Sequence, residues 1–381
     1  MSAAGPIYLD CAATTAADPR VAAIVMRLMT EEYGNAGSRT HFAGLAAQRE
    51  VAAAREQIAL TLAAQPDEVI FTSGATESDN LAIFGLADFG RAEGRRHIVS
   101  TAIEHKAVLE PLNHLAQQGF EVTLIPPDSA GYVSPQDVIK AIRSDTLLVS
   151  VMHANNETGA IQPIQELHDR IPDHPFLHID AAQSYGRETP DLMGHRFDLI
   201  SISGHKIFGP KGIGALIARR RKGRRLPLRP LLYGGGQERG LRAGTIPVPL
   251  VAGFGVAAEM AAADRIKRLK RCEALRVSAI AAFRQVGAVV HEDPVRRRLA
   301  NILSVSIPGV DSEAVMVALK GVVSISNGSA CTSSRYEPSH VLLAMGLSPD
   351  DIAGTIRVSW SHTTEGIPWG KIVQILTEIR L

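Results

Sequence analysis

The feature that most constrains this chain is a repeated switch of hydrophobic period between residues 68 and 220. Short β-branched, apolar runs occur at "EVIFTSG" (68–74), "RHIVSTAIEH" (96–105), "FEVTLIPP" (120–127), "TLLVSVMHANNETG" (146–159), "PFLHIDAAQSYG" (175–186), "FDLISISGHK" (197–206) and "GIGALIARR" (212–220). Helical patterns separate them, among them "ATESDNLAIFGLADFGRA", "KAVLEPLNHLAQQG" and "IQELHDRI". Strands that alternate with helices predict a mostly parallel sheet covered on both faces. Ligands in such folds bind beyond the carboxyl ends of the strands. The polar residues delivered there are Thr76, His105, Asn155, Asp180, Gln183, Ser203, His205 and Lys206.

A chain of 381 residues exceeds one ordinary core. From about residue 259 the texture changes: "AAEMAAADRIKRLKRCEALRVSAIAAFRQVG" reads as one long helix, followed by short strands ("NILSVSIPG", "VVSISNG"), the helical "DSEAVMVALKG" and a C-terminal helix. The expected division is a large α/β domain over 14–258 and a smaller α+β domain formed by 1–13 and 259–381.

Charge narrows the function classes. With 40 Lys and Arg against 39 Asp and Glu, the net charge of +1 makes no global field that recruits nucleic acid or membrane. The basic run "RRRKGRRLPLR" (219–229) reads as a solvated loop, and with no interleaved aromatics direct nucleic-acid binding is not expected. No apolar run reaches bilayer length, and the N-terminus lacks the pattern of a signal peptide, so a cytoplasmic protein is expected. Cys11, Cys272 and Cys331 stand far apart, which suggests neither a disulfide framework nor a zinc site. No metal is expected.

The strand that ends in Ser203, Gly204, His205 and Lys206 breaks into a glycine-rich loop. A lysine at a desolvated rim suits carbonyl chemistry, and pyridoxal phosphate uses such an amine together with an acid beside its pyridine nitrogen. Asp180, at the end of an apolar strand, is costly unless it meets a cation. "SGATESDN" (73–80) supplies a glycine turn and a helix start for a phosphate, with the Thr76 hydroxyl, Ser203 and His205 as further donors. "GGGQERGLRAGTIPVP" (234–249) adds a second glycine-rich loop with Thr245. Singly, each has a plainer reading: a surface lysine, a helix-capping aspartate, an ordinary N-cap.

Together "YLDCAATT", "YGNAGSRTH", "FTSGATESDN", "IEHKAV", "HANNETG", "HIDAAQSYG", "SISGHKIFGPKG", "GGGQERGLRAGT" and "NGSACTSS" resemble the pyridoxal-phosphate-dependent cysteine desulfurases, in the group with the longer cysteine loop. The resemblance runs nearly end to end. It implies the fold-type-I, aspartate aminotransferase-like class V architecture, pyridoxal 5'-phosphate as cofactor, L-cysteine as substrate, a sulfur-acceptor protein as partner, and a homodimer with sites at the subunit interface. It implies Lys206 as Schiff-base lysine, His105 stacked on the ring with a share in proton transfer, Asp180 at the pyridine nitrogen and Gln183 as donor to the ring oxygen. Thr76, Ser203 and His205 resemble the phosphate ligands, with backbone from Ala75 and Thr245 from the other subunit. Asn155 is similar to the family's cofactor- and substrate-side asparagine. Arg357 resembles the clamp for the substrate carboxylate, assisted by Asn35.

Cys331, among small and polar residues, resembles the nucleophile that takes the sulfur as a persulfide while the substrate leaves as L-alanine. Cys272 reads as structural, and Cys11 is given no catalytic role. "VSWSHTTEG" after Arg357 is shorter than the usual family run, and Trp360 and His362 are expected to line the entrance. The pattern looks closest to the branch that supplies sulfur for phosphorothioate modification of DNA. Alternatives are a donor for iron–sulfur clusters or tRNA thiolation, a selenocysteine lyase, a class V aminotransferase, or a sulfur-carrier scaffold without chemistry.

Overall fold

The computed structural model describes residues 5–194, 197–327 and 337–380. Its strands are β1 (Ile7–Tyr8), β2 (Val69–Thr72), β3 (His97–Thr101), β4 (Glu121–Ile125), β5 (Thr146–Met152), β6 (Phe176–Asp180), β7 (Leu199–Ser203), β8 (Gly214–Ala218), β9 (Val289–Val290), β10 (Ile302–Ser306), β11 (Val323–Ser324) and β12 (Thr355–Ser359). Seven of them form one sheet in the order β2-β8-β7-β6-β5-β3-β4. The pairs from β7 through to β4 are parallel, whereas β8 runs antiparallel to both β7 and β2.

The inner strands are apolar throughout because both of their faces are covered. Alternate residues divide between two cores. Ile70, Ile98, Leu148 and Leu199 face the helices Ala75–Ala92 and Lys106–Gln117. Phe71, Val99, Val149 and Ile200 face the helices Phe42–Thr61 and Val248–Ala263. This period of two fixes the register, since a slip of one residue would exchange the faces.

A separate core gathers Leu9, Phe283, Leu303, Val305, Ile356, Trp360 and Leu376. It lies between the antiparallel sheet β12-β10-β9 and the helices Arg265–Gln285 and Trp369–Glu378. The N-terminal arm joins it: β1 pairs in parallel with β11, and Asp10 bridges to Ser359.

The long helix expected from residue 259 is instead two, Val248–Ala263 and Arg265–Gln285, separated at Asp264 (φ −91°, ψ 0°). The first buries Val251, Phe254, Ala258 and Ala261 in the large core, and the second buries Cys272, Leu275 and Phe283 in the smaller one. One straight helix cannot face both. The chain therefore changes cores at Asp264 rather than at 258, and Val341, Leu342, Met345 and Ile352 return to the large core.

Among the described residues, no helix is long and apolar enough to cross a membrane. The basic run is only partly solvated. Arg219 is buried and donates to the carbonyls of Leu62 and Ala63, Arg220 pairs with Asp67, and the Arg221 guanidinium lies over the Phe176 ring at 5.2 Å. Lys222, Arg224 and Arg225 are exposed.

Candidate active site

A cleft of about 540 Å³ opens beyond the carboxyl ends of β5, β6 and β7, where the N-terminal arm and β12 close over the sheet. The buried run of β7 ends at Ser203 and passes into one 3-10 turn, Gly204–Lys206, which turns Lys206 into the cleft. Its Nζ donates to the carbonyls of Ala12 and Ala13, the latter at 2.8 Å. Two residues on, Phe208 stands in the left-handed region (φ 69°), held where Thr15 Oγ1 accepts its N–H at 3.0 Å. A large residue in that conformation is strained, and surrounding bonds fix such strain most often at functional sites.

Asp180, the last residue of β6, forms the floor. Its Oδ1 accepts the N–H of Ala182 at 2.9 Å. Burial, with Asp79 nearby, pushes its carboxyl up to about 6. A cation brought to its other side would be strongly favoured there. His105 caps the helix Lys106–Gln117 and faces the same space. Its Nδ1 accepts the N–H of Ala107 at 3.1 Å, which places the ring proton on Nε2 when the ring is neutral. Burial lowers its pKa, so neutral is the preferred form.

The donor end of the cleft is built from Ser73, Gly74, Ala75 and Thr76, where β2 gives way to the helix Ala75–Ala92. The first backbone bond of that turn is Ser78 N–H to the Gly74 carbonyl, which leaves the earlier N–H groups directed outward. Gly214 of the adjacent β8 permits the close approach: a Cβ there would lie 2.6 Å from Gly74 Cα. Ser203 Oγ is buried and has no hydrogen-bond partner among the described residues. His205 is held neutral, its pKa pushed down to about 4 by burial with Lys206 and Lys211 adding, and its Nδ1 meets Thr14 Oγ1 at 3.1 Å.

The residues therefore fit a phosphorylated pyridine aldehyde. An amine, an acid on the floor, an orphaned hydroxyl and a helix start converge in one cleft. Gln183 lines it too, but its amide nitrogen is on the Ala12 carbonyl at 2.8 Å and its Oε1 has no hydrogen-bond partner among the described residues, so its donor end is turned away from the expected ring oxygen.

Arg357 reaches the cleft from β12. Its Nη2 pairs with Asp10 Oδ1 at 2.7 Å, its Nη1 donates to the Asn156 carbonyl at 3.0 Å, and its Nε is buried without a hydrogen-bond partner among the described residues. Asp10, Thr14, Asp79 and Asn156 were not singled out from sequence. Asp10 carried one signal, a lone carboxylate directly after a short apolar strand.

Other expected residues fall elsewhere. Asn155 does not line the cleft. Its Nδ2 donates to the Ile103 carbonyl, and its Oδ1 accepts the N–H groups of Glu157 and Thr158, so it shapes the loop that presents Asn156. Asn35 is exposed and accepts the N–H of Gly37 within its own turn. Thr245 is exposed, on a loop tied to the start of the helix Ala75–Ala92 by the Arg242–Glu77 pair at 3.0 Å. Trp360 does not line an entrance: it is wholly buried in the smaller core, its Nε1 donating to the Cys272 carbonyl. His362 packs edge-on against Phe208 at a second small cavity behind Lys206. Cys11 and Cys272 are both buried, which pushes each thiol up to about 11.

Cys331 lies outside the described residues, but the chain on either side of 328–336 is tied to residues that line the cleft or directly precede or follow ones that do. Before it, Ser326 exchanges backbone hydrogen bonds with Arg357. After it, Ser339 donates to Glu157 and His340 Nε2 meets the Glu104 carbonyl at 2.9 Å.

Comparison with known proteins agrees with this geometry. The family model described as aminotransferase class-V matches residues 7–366. A "Cysteine desulfurase IscS" of Anaeromyxobacter dehalogenans is 46% identical over 355 residues, 92% of this chain and 87% of that protein. Among solved structures, a NifS-like protein superposes with a TM-score of 0.90 at 36% identity, covering 98% of this chain and 99% of that one. DndA from Streptomyces lividans superposes at 0.82 with 49% identity, covering 93% and 99%. The chain belongs to the class-V aminotransferase family and, within it, to the cysteine desulfurases.

Proposed function

We propose that this enzyme converts L-cysteine to L-alanine and carries the released sulfur as a persulfide on Cys331. The observation that carries the proposal is the convergence of Lys206, from the turn after β7, Asp180, from β6, and Arg357, from β12, on one cleft, with both ends of the segment bearing Cys331 tied close to its walls. Pyridoxal 5'-phosphate, when bound, supplies a reactive aldehyde and an electron sink that weakens bonds at the substrate's α- and β-carbons.

The helix start at Ala75 and Thr76, with Ser203 and His205, holds the phosphate, and Asp180 holds the pyridine nitrogen in its protonated form. His105, presented by its helix cap, covers the ring. Arg357 receives the substrate carboxylate; its exchange between Asp10 and substrate keeps the guanidinium charge-paired throughout. Lys206 serves as covalent anchor and as the base that moves the substrate's α-proton. The Cys331 thiolate attacks the substrate sulfur. The S–S bond forms as the Cβ–S bond breaks, the electron pair stays with the substrate carbon, and a proton completes the methyl group of alanine. No outside oxidant or reductant is needed. A reducing, cytoplasmic setting keeps the thiolate available.

We further propose a homodimer in which the exposed Thr245 serves the other subunit's cleft. Tyr33, Phe42 and Tyr233, which are 78, 80 and 85% exposed, supply apolar surface suited to such a contact. The likeness to DndA supports delivery to an acceptor protein in phosphorothioate modification of DNA; the likeness to IscS supports a donor for iron–sulfur clusters as the second reading.

The test is direct. Purified protein with bound cofactor should be yellow, and borohydride should fix the cofactor to the peptide containing Lys206. Cys331→Ser should stop sulfide and alanine production together. Alanine formed at the parental rate by that variant would remove Cys331 as nucleophile.

A further inference from the structure

Asp79 falls within the run "SGATESDN", yet neither the sequence reading nor the mechanism gives it a role. It sits in the second turn of the helix Ala75–Ala92, is 1% exposed, and lines the floor of the cleft beside Asp180. We propose that Asp79 is a positioning residue that keeps its carboxyl proton in mildly acidic to neutral solution, so that of the two aspartates on the cleft floor Asp180 carries the negative charge toward the cation the cleft receives. This rests on the cofactor reading above for its purpose, though not for its test.

The argument starts from the neighbours. From β6, His178 Nε2 stands 3.5 Å from Asp79 Oδ1. Both ring nitrogens of His178 are already engaged, Nδ1 with Ser150 Oγ at 2.8 Å and Nε2 with Ser201 Oγ at 2.9 Å. Ser201, from β7, approaches Asp79 while committed to His178, and neither oxygen of Asp79 has a hydrogen-bond partner among the described residues. From the exit of β3 comes Glu104, fully buried, whose Oε1 accepts the Thr101 hydroxyl and the Met152 N–H. Across the cleft stand His105 and Lys206.

Three carboxyls thus share one dry layer, where like charges at close range cannot all persist. They are not equally equipped. Asp180 accepts a backbone N–H and opens to the cleft, whereas an ionised Asp79 would be buried with only the Ser201 hydroxyl, already committed to His178, as its near donor and with no cation against it among the described residues. A buried acid without partners keeps its proton far more cheaply than it bears a charge. Burial pushes Asp79 up to about 7, and holds His178 down to about 4, so the neighbouring imidazole is neutral and offers no countercharge. Asp79 and Asp180 repel as anions, so the proton on one keeps the other ionised.

Infrared spectroscopy of protein with carboxyl-labelled aspartate reads this directly, with or without cofactor. The parent at pH 6 should show the band of a buried protonated aspartate that fades between pH 6 and 8, and Asp79→Asn should lack it. Equilibrium dialysis of pyridoxal phosphate against the apoenzyme gives a second readout. At pH 6.5, Asp79→Asn should bind within about threefold of the parent, and Asp180→Asn should bind at least tenfold more weakly. The visible band of the holoenzyme should titrate near neutrality in the parent and not in Asp79→Asn. A labelled band absent from the parent at pH 6, or unchanged in the Asn variant, would overturn the proposal, as would a tenfold loss of cofactor affinity in a folded Asp79→Asn. Should the Asn variant not fold, the band is read in Asp180→Asn, where it should persist; its loss there would assign the proton to Asp180 and overturn the proposal. Parent protein that shows the band but binds no pyridoxal phosphate would sink the cofactor reading and leave the charge state of Asp79 standing.

Discussion

Two regions concentrate charge in this molecule, and they treat it in opposite ways. In the hairpin after β8, Arg219 is buried against two carbonyls, Arg220 is paired with Asp67, and Arg221 lies over Phe176. Under the cleft, Asp79, Asp180 and Glu104 are buried side by side, and among the described residues no cation meets Asp79. Charge matched by the fold is structural. Charge that the fold desolvates and leaves unmatched marks the place where chemistry happens.

That contrast can be broken experimentally, and the largest effect is expected on the chemical side. Lys206→Ala should cut alanine formation from L-cysteine at least about 10³-fold, the scale of losing a base and a covalent anchor together, with unfolding by urea little changed. Asp180→Ala should lower the same rate about 10²- to 10³-fold, as expected when a buried countercharge is lost. The arginine side should respond in stability instead. Arg219→Ala strips the partners from buried carbonyls and should cost about 1–3 kcal/mol in urea titrations, with activity per folded molecule intact. An Arg219 variant of normal stability and lost activity would erase the distinction.

The pH response sharpens it further. His178, His205 and His362 are each held down to about 4, chiefly by burial. Between pH 6.5 and 4 the unfolded chain takes protons that the folded one refuses, so these groups lower stability as pH falls. Asp79, raised from 3.8 to about 7, acts in the opposite sense: the folded chain keeps its proton where the unfolded one has lost it, so its contribution fades as pH rises from 4 to 7. Asp79→Asn should therefore lose stability faster than the parent between pH 6.5 and 5 in urea titrations. The smallest effect belongs to the outer end of the hairpin, where Arg224→Ala should shift stability by less than about 0.5 kcal/mol.

How much of this was legible beforehand follows from which forces are local. The seven central strands were readable because each is a short apolar run ended by polar residues, and the face alternation needs nothing beyond a period of two. Lys206, Asp180 and the helix start at Ala75 were readable for the same reason: each sits where a strand stops. The break at Asp264 was not, because both halves carry good helix formers and only the presence of two cores bends the path. Trp360 was placed at an entrance because it follows Arg357, yet residues an odd number of positions apart along a strand point to opposite sides, and the indole went to the interior. Asn155 and Asn156 were indistinguishable in sequence; a single turn decided which one faces the cleft. Asp79 was hidden in plain helical pattern, since nothing local says that β6 will carry Asp180 beside it.

The anchoring of Ser326 to Arg357, and of Ser339 and His340 to Glu157 and Glu104, has a consequence for traffic. A chain extends at most roughly 3.6 Å per residue, so a group five positions past Ser326 is leashed within about 18 Å of that post. If Cys331 bears the sulfur as proposed, a tether so short would keep it at roughly millimolar or greater local concentration around that post. On the proposed role of Cys331, an acceptor would have to come to that doorway, for five residues of chain are too few to carry sulfur far from it.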